Sequence, residues 1–173
     1  NPTVDALKFK QPDGSDKSLY DTITLSSTQY KLTFKGDVFL PLFDRATIRF
    51  EGNFGHLQSP VLFFSELFRL GGIRTLKGFD EQAIFASSYG ILNTELRYLL
   101  QQNSHVMLFW NGAWYQNKIR QPLVEDTPYG FGAGLNFETG AGIFSLYYAV
   151  GKQFNNSIEF NKAKIHFGFV SYF

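Results

Sequence analysis

Few residues in this 173-residue chain are spaced to do covalent chemistry. The three histidines, His56, His105 and His166, fall in different segments, and none stands at metal-ligand spacing from another. Neither a Gly-x-Ser-x-Gly elbow nor a phosphate-binding glycine loop occurs. Gly130, Gly132 and Gly134 repeat at period two. Inside a strand that puts all three on one face, where they leave space for an inserted segment or for sharp curvature. The basic pair Lys162 and Lys164 reads as a solvated face. No catalytic residue, metal site or cofactor is expected. What remains is the stretch Leu70-Gly71-Gly72-Ile73-Arg74-Thr75-Leu76-Lys77-Gly78-Phe79-Asp80-Glu81, in a connection over 56–89. A loop that long with no obvious strand of its own is usually functional.

The segments that must hold this loop alternate with period two. Tyr30, Leu32, Phe34, Gly36, Val38 and Leu40 oppose Lys31, Thr33, Lys35, Asp37 and Phe39, and Pro41 with Asp44 then predicts a turn. The alternation recurs six more times. Ala46, Ile48, Phe50 and Phe54 oppose Thr47, Arg49, Glu51 and Asn53, and Leu92, Leu96, Tyr98 and Leu100 oppose Asn93, Glu95 and Arg97. Val106, Leu108, Trp110 and Trp114 oppose His105, Phe109, Asn111 and Ala113. Phe131, Ala133, Leu135 and Phe137 oppose the three glycines, Asn136 and Glu138, while Phe144, Leu146, Tyr148 and Val150 oppose Ser145, Tyr147, Ala149 and Gly151. In the terminal strand, 162–173, Ala163, Ile165, Phe167, Phe169 and Phe173 oppose Lys162, Lys164, His166, Gly168 and Tyr172. Residues 1–27 are polar and turn-rich and read as a loop or short strand.

Each segment has roughly the 9–11 residues of a strand tilted through a bilayer. Aromatics make up 18% of the chain, yet it has no apolar run of the length, about 20 residues, that a spanning helix needs. Large aromatics end the apolar face, as an interfacial girdle does, and the other face carries Lys, Arg, Glu and Gly. A soluble sandwich would instead pack the apolar face as its core. Backbone groups in lipid must be paired internally, so such strands must close. The expectation is an all-β, transmembrane antiparallel β-barrel, with residues 1–173 a single barrel segment in contact with outer-membrane lipid. Short connections at 101–104 and 139–142 alternate with longer ones at 115–129 and 152–161, as periplasmic turns alternate with external loops. A net charge of +1 supplies no basic stripe for nucleic acid. Opening on Asn-Pro-Thr, the sequence reads as a trimmed mature chain or the C-terminal part of a longer one.

The loop resembles the signature loop of the BamA/TamA-type outer-membrane protein assembly factor superfamily, which also includes the two-partner-secretion transporters. That signature is Gly-Gly, then a small apolar residue, Arg, Gly and Phe or Tyr; here Gly71 and Gly72 precede Leu76-Lys77-Gly78-Phe79. The resemblance implies that the loop folds back into the lumen and that its cation pairs with acids on the inner wall of the next two strands, at Glu95 and Asn111. Lys77 stands for the usual Arg and Asn111 for a common Asp, and the two departures together leave one cation to one anion. Lys77→Ala is then expected to free the loop, and Glu95→Gln to do so more mildly.

The last eight residues are similar to the outer-membrane targeting signal through His166, Gly168, Tyr172 and Phe173, with Ser171 at a place the signal keeps apolar. From residue 28 onward the order of strands and loop follows the family. The seven strands are then the C-terminal half of a barrel of about sixteen. The resemblance implies a bacterial outer-membrane location and a barrel that inserts or assembles other outer-membrane proteins without covalent chemistry, offering the edge of its last strand at a seam. Client outer-membrane proteins and periplasmic or lipoprotein accessory subunits are the implied partners. A two-partner translocation pore, an anchor barrel for an attached hydrolase, and a small closed eight-stranded barrel are the rival readings.

Overall fold

The computed structural model describes residues 8–10, 16–18, 28–60, 62–119 and 122–171. Tyr172 and Phe173, the end of the expected targeting signal, lie outside the described residues. Strands β1 (Lys8–Lys10) and β2 (Asp16–Ser18) pair antiparallel with each other. The main sheet is built from β3 (Tyr30–Phe43), β4 (Ala46–Gln58), β7 (Ser88–Gln101), β8 (Ser104–Asn117), β10 (Tyr129–Thr139), β11 (Gly142–Lys152) and β12 (Lys164–Ser171), each antiparallel to its neighbour in that order. Two short strands, β5 (Phe68–Leu70) and β6 (Ile84–Ala86), pair inside the long connection, and β9 (Val124–Asp126) extends the far end of β8. Among the described residues β3 and β12 are the terminal strands of an open sheet.

The first turn differs from the sequence expectation. Pro41 does not end β3; the strand runs on to Phe43, a bulge lies between Pro41 and Phe43, and the turn is Asp44-Arg45. Proline lacks the ladder N–H and is tolerated in a strand at a bulge or on an edge, and Pro41 has both.

Burial in this sheet is inverted relative to a soluble protein. Leu108 is 62% and Phe167 64% exposed, and Leu92, Leu96, Leu146 and Phe169 also face outward, whereas Glu51, Asn93, Glu95 and Asn111 are buried on the opposite face. A continuous apolar exterior of this size needs a non-aqueous surrounding, and paired strands are a form of backbone that lipid accepts. The fold is the all-β, antiparallel wall of a transmembrane barrel. No helix among the described residues is long and apolar enough to cross a membrane.

The apolar core lies on the inner face, between the wall and the long connection. Leu70, Leu76, Phe79 and Ile84 from the connection pack with Tyr89, Ile91 and Tyr115 from β7 and β8. A second cluster joins Met107, Phe109, Tyr147 and Ala149, with Ile73 against it. Burying each of the large apolar side chains contributes about 1.5–3 kcal/mol, so apolar contact helps to hold the loop inside.

Candidate functional site

The loop docks from a closed stem. Phe68, Arg69 and Leu70 of β5 pair with Ala86, Phe85 and Ile84 of β6, so residues 71–83 form a tip with fixed ends. Gly71 and Gly72 both have positive φ and turn the chain out of β5. The Gly71 N–H donates to Thr75 Oγ1 at 2.8 Å, and the same hydroxyl returns a bond to the Gly71 carbonyl at 3.0 Å. Leu76 is fully buried beneath this turn, and Phe79 is buried beyond it.

At the tip the loop backbone touches the wall. Gly78 has φ +96°, and a Cβ there would come within 2.9 Å of Gly151 N and of the Val150 carbonyl. Gly130 and Gly151 are cross-strand partners, and a Cβ on either would strike the loop, at 2.4 Å from the Lys77 carbonyl oxygen or 2.5 Å from that of Gly78. A path of glycine through β10 and β11 therefore gives the loop its seat. Gly132 and Gly134 leave room for the rings of Phe109 and Tyr147.

Those rings flank the Lys77 ammonium, whose Nζ lies 5.1 Å from the Phe109 centroid and 5.4 Å from that of Tyr147. It lies 3.2 Å from Glu95 Oε1. Asn111 Nδ2 donates to the Lys77 backbone carbonyl at 3.1 Å. The structure thus brings Lys77, Glu95 and Asn111 together, but not as one cation to one anion. Glu95 Oε1 also accepts from Arg49 Nη1 at 3.2 Å, and its Oε2 from Arg97 Nε at 2.9 Å and Nη2 at 2.5 Å. Three cations share one carboxylate that is 2% exposed. Arg49 in turn contacts Asp37 and Glu51, and Asn93 Nδ2 donates to Glu51 Oε1 at 3.1 Å and to the Thr75 carbonyl at 3.4 Å. Nor does Asn111 act as a stand-in carboxylate: it is an amide donor to backbone, a role an ionised Asp cannot fill.

Arg49, Glu51, Asn93 and Arg97 are part of the site that sequence reasoning did not single out. Their inward parity was visible in the alternation. Which of them meet was not, because Arg49 reaches Glu95 only through the register in which the two are cross-strand partners.

The loop also reaches the last strand. Gly78 N–H donates to His166 Nε2 at 3.3 Å, and Gly168, two residues on, faces Ile73. His56 and His105 lie elsewhere on the wall, beside Ser88 and Asn136. No group of three metal-ligating side chains converges among the described residues.

A loop rooted at both ends, docked on glycine and neutralised by a buried ion cluster, can hold a wall in one arrangement. The model of the Omp85 superfamily domain matches residues 17–173. The chain belongs to the Omp85 superfamily. No curated protein and no solved structure shows significant similarity to it. Omp85 proteins are outer-membrane β-barrels, transporters and assembly factors in which protein insertion or translocation is the general activity. In this Omp85 chain the loop tip Lys77-Gly78-Phe79 is the point at which β7, β8, β10, β11 and β12 are all contacted from inside.

Proposed function

We propose that this chain inserts other outer-membrane proteins by templating their strands on the edge of β12, with lipid around its apolar face and client barrels, aided by periplasmic or lipoprotein accessory subunits, as its partners. The observation that carries the reading is the position of β12. Among the described residues it is a terminal strand of the sheet, paired along Lys164–Ser171 to β11, with Ile165, Phe167 and Phe169 directed outward. A strand so placed can add an incoming strand by backbone hydrogen bonding, with alternate side chains setting the face.

The test is photo-crosslinking with a stalled client. A crosslinker at Phe169 or Val170, both exposed on β12, is expected to capture client strands, and one at Arg97 on the inner face is not. Capture at Arg97 with none on β12 would replace this reading by a translocation pore.

A further inference from the structure

Three consecutive inward positions of β12 meet the loop. Lys164 Nζ lies 2.7 Å from Asp80 Oδ1, His166 Nε2 accepts from Gly78 N–H at 3.3 Å, and Ile73 Cδ1 sits 3.4 Å from the place a Cβ on Gly168 would take. On its other side the same tip is fixed to β7 through Lys77 and Glu95 and to β8 through Asn111. The ladder between β11 and β12 stops at Ala149 and Lys164, and the loop occupies the wall just beyond, over Val150 and Gly151. Among the described residues the end strand therefore has at least two attachments: its own hydrogen bonds to β11, and a cross-link over the inner face to strands well behind it.

We propose that the loop is the clasp of the last strand, so that docking of the tip at residues 73–80 sets whether β12 is held in register on β11 or released to pair elsewhere. The mechanics need only the contacts above; the consequence for clients rests on the seam reading of the preceding section. Because the Asp80–Lys164 pair is partly open to solvent, it is weak alone and acts together with the His166 bond. Lys77, Gly130 and Gly151 do not belong to β12, yet each governs it by seating the tip.

Hydrogen–deuterium exchange of the whole barrel folded in phosphatidylcholine vesicles, without client, tests this, with β10 as internal reference. Lys164→Glu is expected to speed exchange in 164–171 by roughly two- to fivefold, the factor that corresponds to a partly exposed ion pair, and to leave β10 unchanged. Adding Asp80→Lys to it, a charge swap, should restore protection. His166→Leu should speed exchange likewise, while His166→Gln, which keeps an acceptor, should not. Gly151→Ala, which alters neither member of the ion pair, should speed β12 exchange by unseating the tip. Unchanged β12 exchange in Lys164→Glu, His166→Leu and Gly151→Ala, each checked as folded by heat-modifiable mobility, overturns the clasp. Client insertion is read separately: faster β12 exchange with unaltered insertion would keep the clasp and remove the seam reading.

Discussion

At Glu95 one buried carboxylate serves Lys77, Arg49 and Arg97, so removing a cation and removing the anion are different losses. Lys77→Ala leaves Glu95 with two guanidinium partners, and the apolar side chains around the tip still hold it. Glu95→Gln leaves the Lys77 ammonium buried, with only ring faces and a neutral amide nearby, and uncompensated buried charge is the costly case. The order expected from the sequence therefore reverses. Glu95→Gln should raise the proteolytic cleavage rate of residues 71–83 by about tenfold, the factor for roughly 1.4 kcal/mol, and Lys77→Ala by less. Greater cleavage in Lys77→Ala would show that Arg49 and Arg97 do not hold the carboxylate. Asn111→Asp, which would restore a residue common in the family, should weaken docking by about 1–3 kcal/mol, because the Lys77 carbonyl loses its donor and meets a carboxylate; unchanged loop protection would contradict that bond. Sequence alone gave the cation and its wall partner by analogy and missed the sharing, since parity names a residue's face but only register names its neighbour.

Seven long strands were legible because lipid on one side and a polar interior on the other impose the same alternation each time. The stem β5–β6 was not, because three residues are too few to show a period. Its formation depends on Leu70 and Ile84 being buried against the wall, which is a tertiary effect. The glycines were readable as space, and the structure shows what fills it. Gly151→Ala places a methyl within 2.5 Å of the Gly78 carbonyl oxygen and 2.9 Å of the Phe79 ring. It should expel the tip and raise loop cleavage while β10 and β11 stay paired, since the clash is with the loop and not across their ladder. Gly52→Ala is the control: nothing lies within 4 Å of a Cβ there, so loop protection should not change. If both variants behaved alike, loop exposure would reflect the loss of strand glycine in general, and the seat would have no specific role.

Across the whole molecule the apolar exterior and the loop-filled interior make one claim about surroundings, and the two faces can be tested by depth. The fourteen residues of β8 rise roughly 46 Å, or about 33 Å along the normal at a tilt near 45°, close to the hydrocarbon thickness. Its outward side chains Val106, Leu108, Trp110 and Trp114 thus sample the bilayer from one interface to the other. Charge on a lipid-facing barrel position costs about 2–4 kcal/mol at the midplane and about 0–1 near the interfaces. A scan replacing each of the four by Arg, with unfolding by guanidinium from vesicles, should give a profile that peaks at Leu108 or Trp110 and falls at Val106 and Trp114. If a second protein layer covered this face instead, the cost would follow packing and not depth, and the exposed Leu108 would lose little. A flat profile, or one that rises toward Trp114, would therefore show that the inverted burial of this sheet is resolved by protein and not by lipid, and the barrel reading would fall with it.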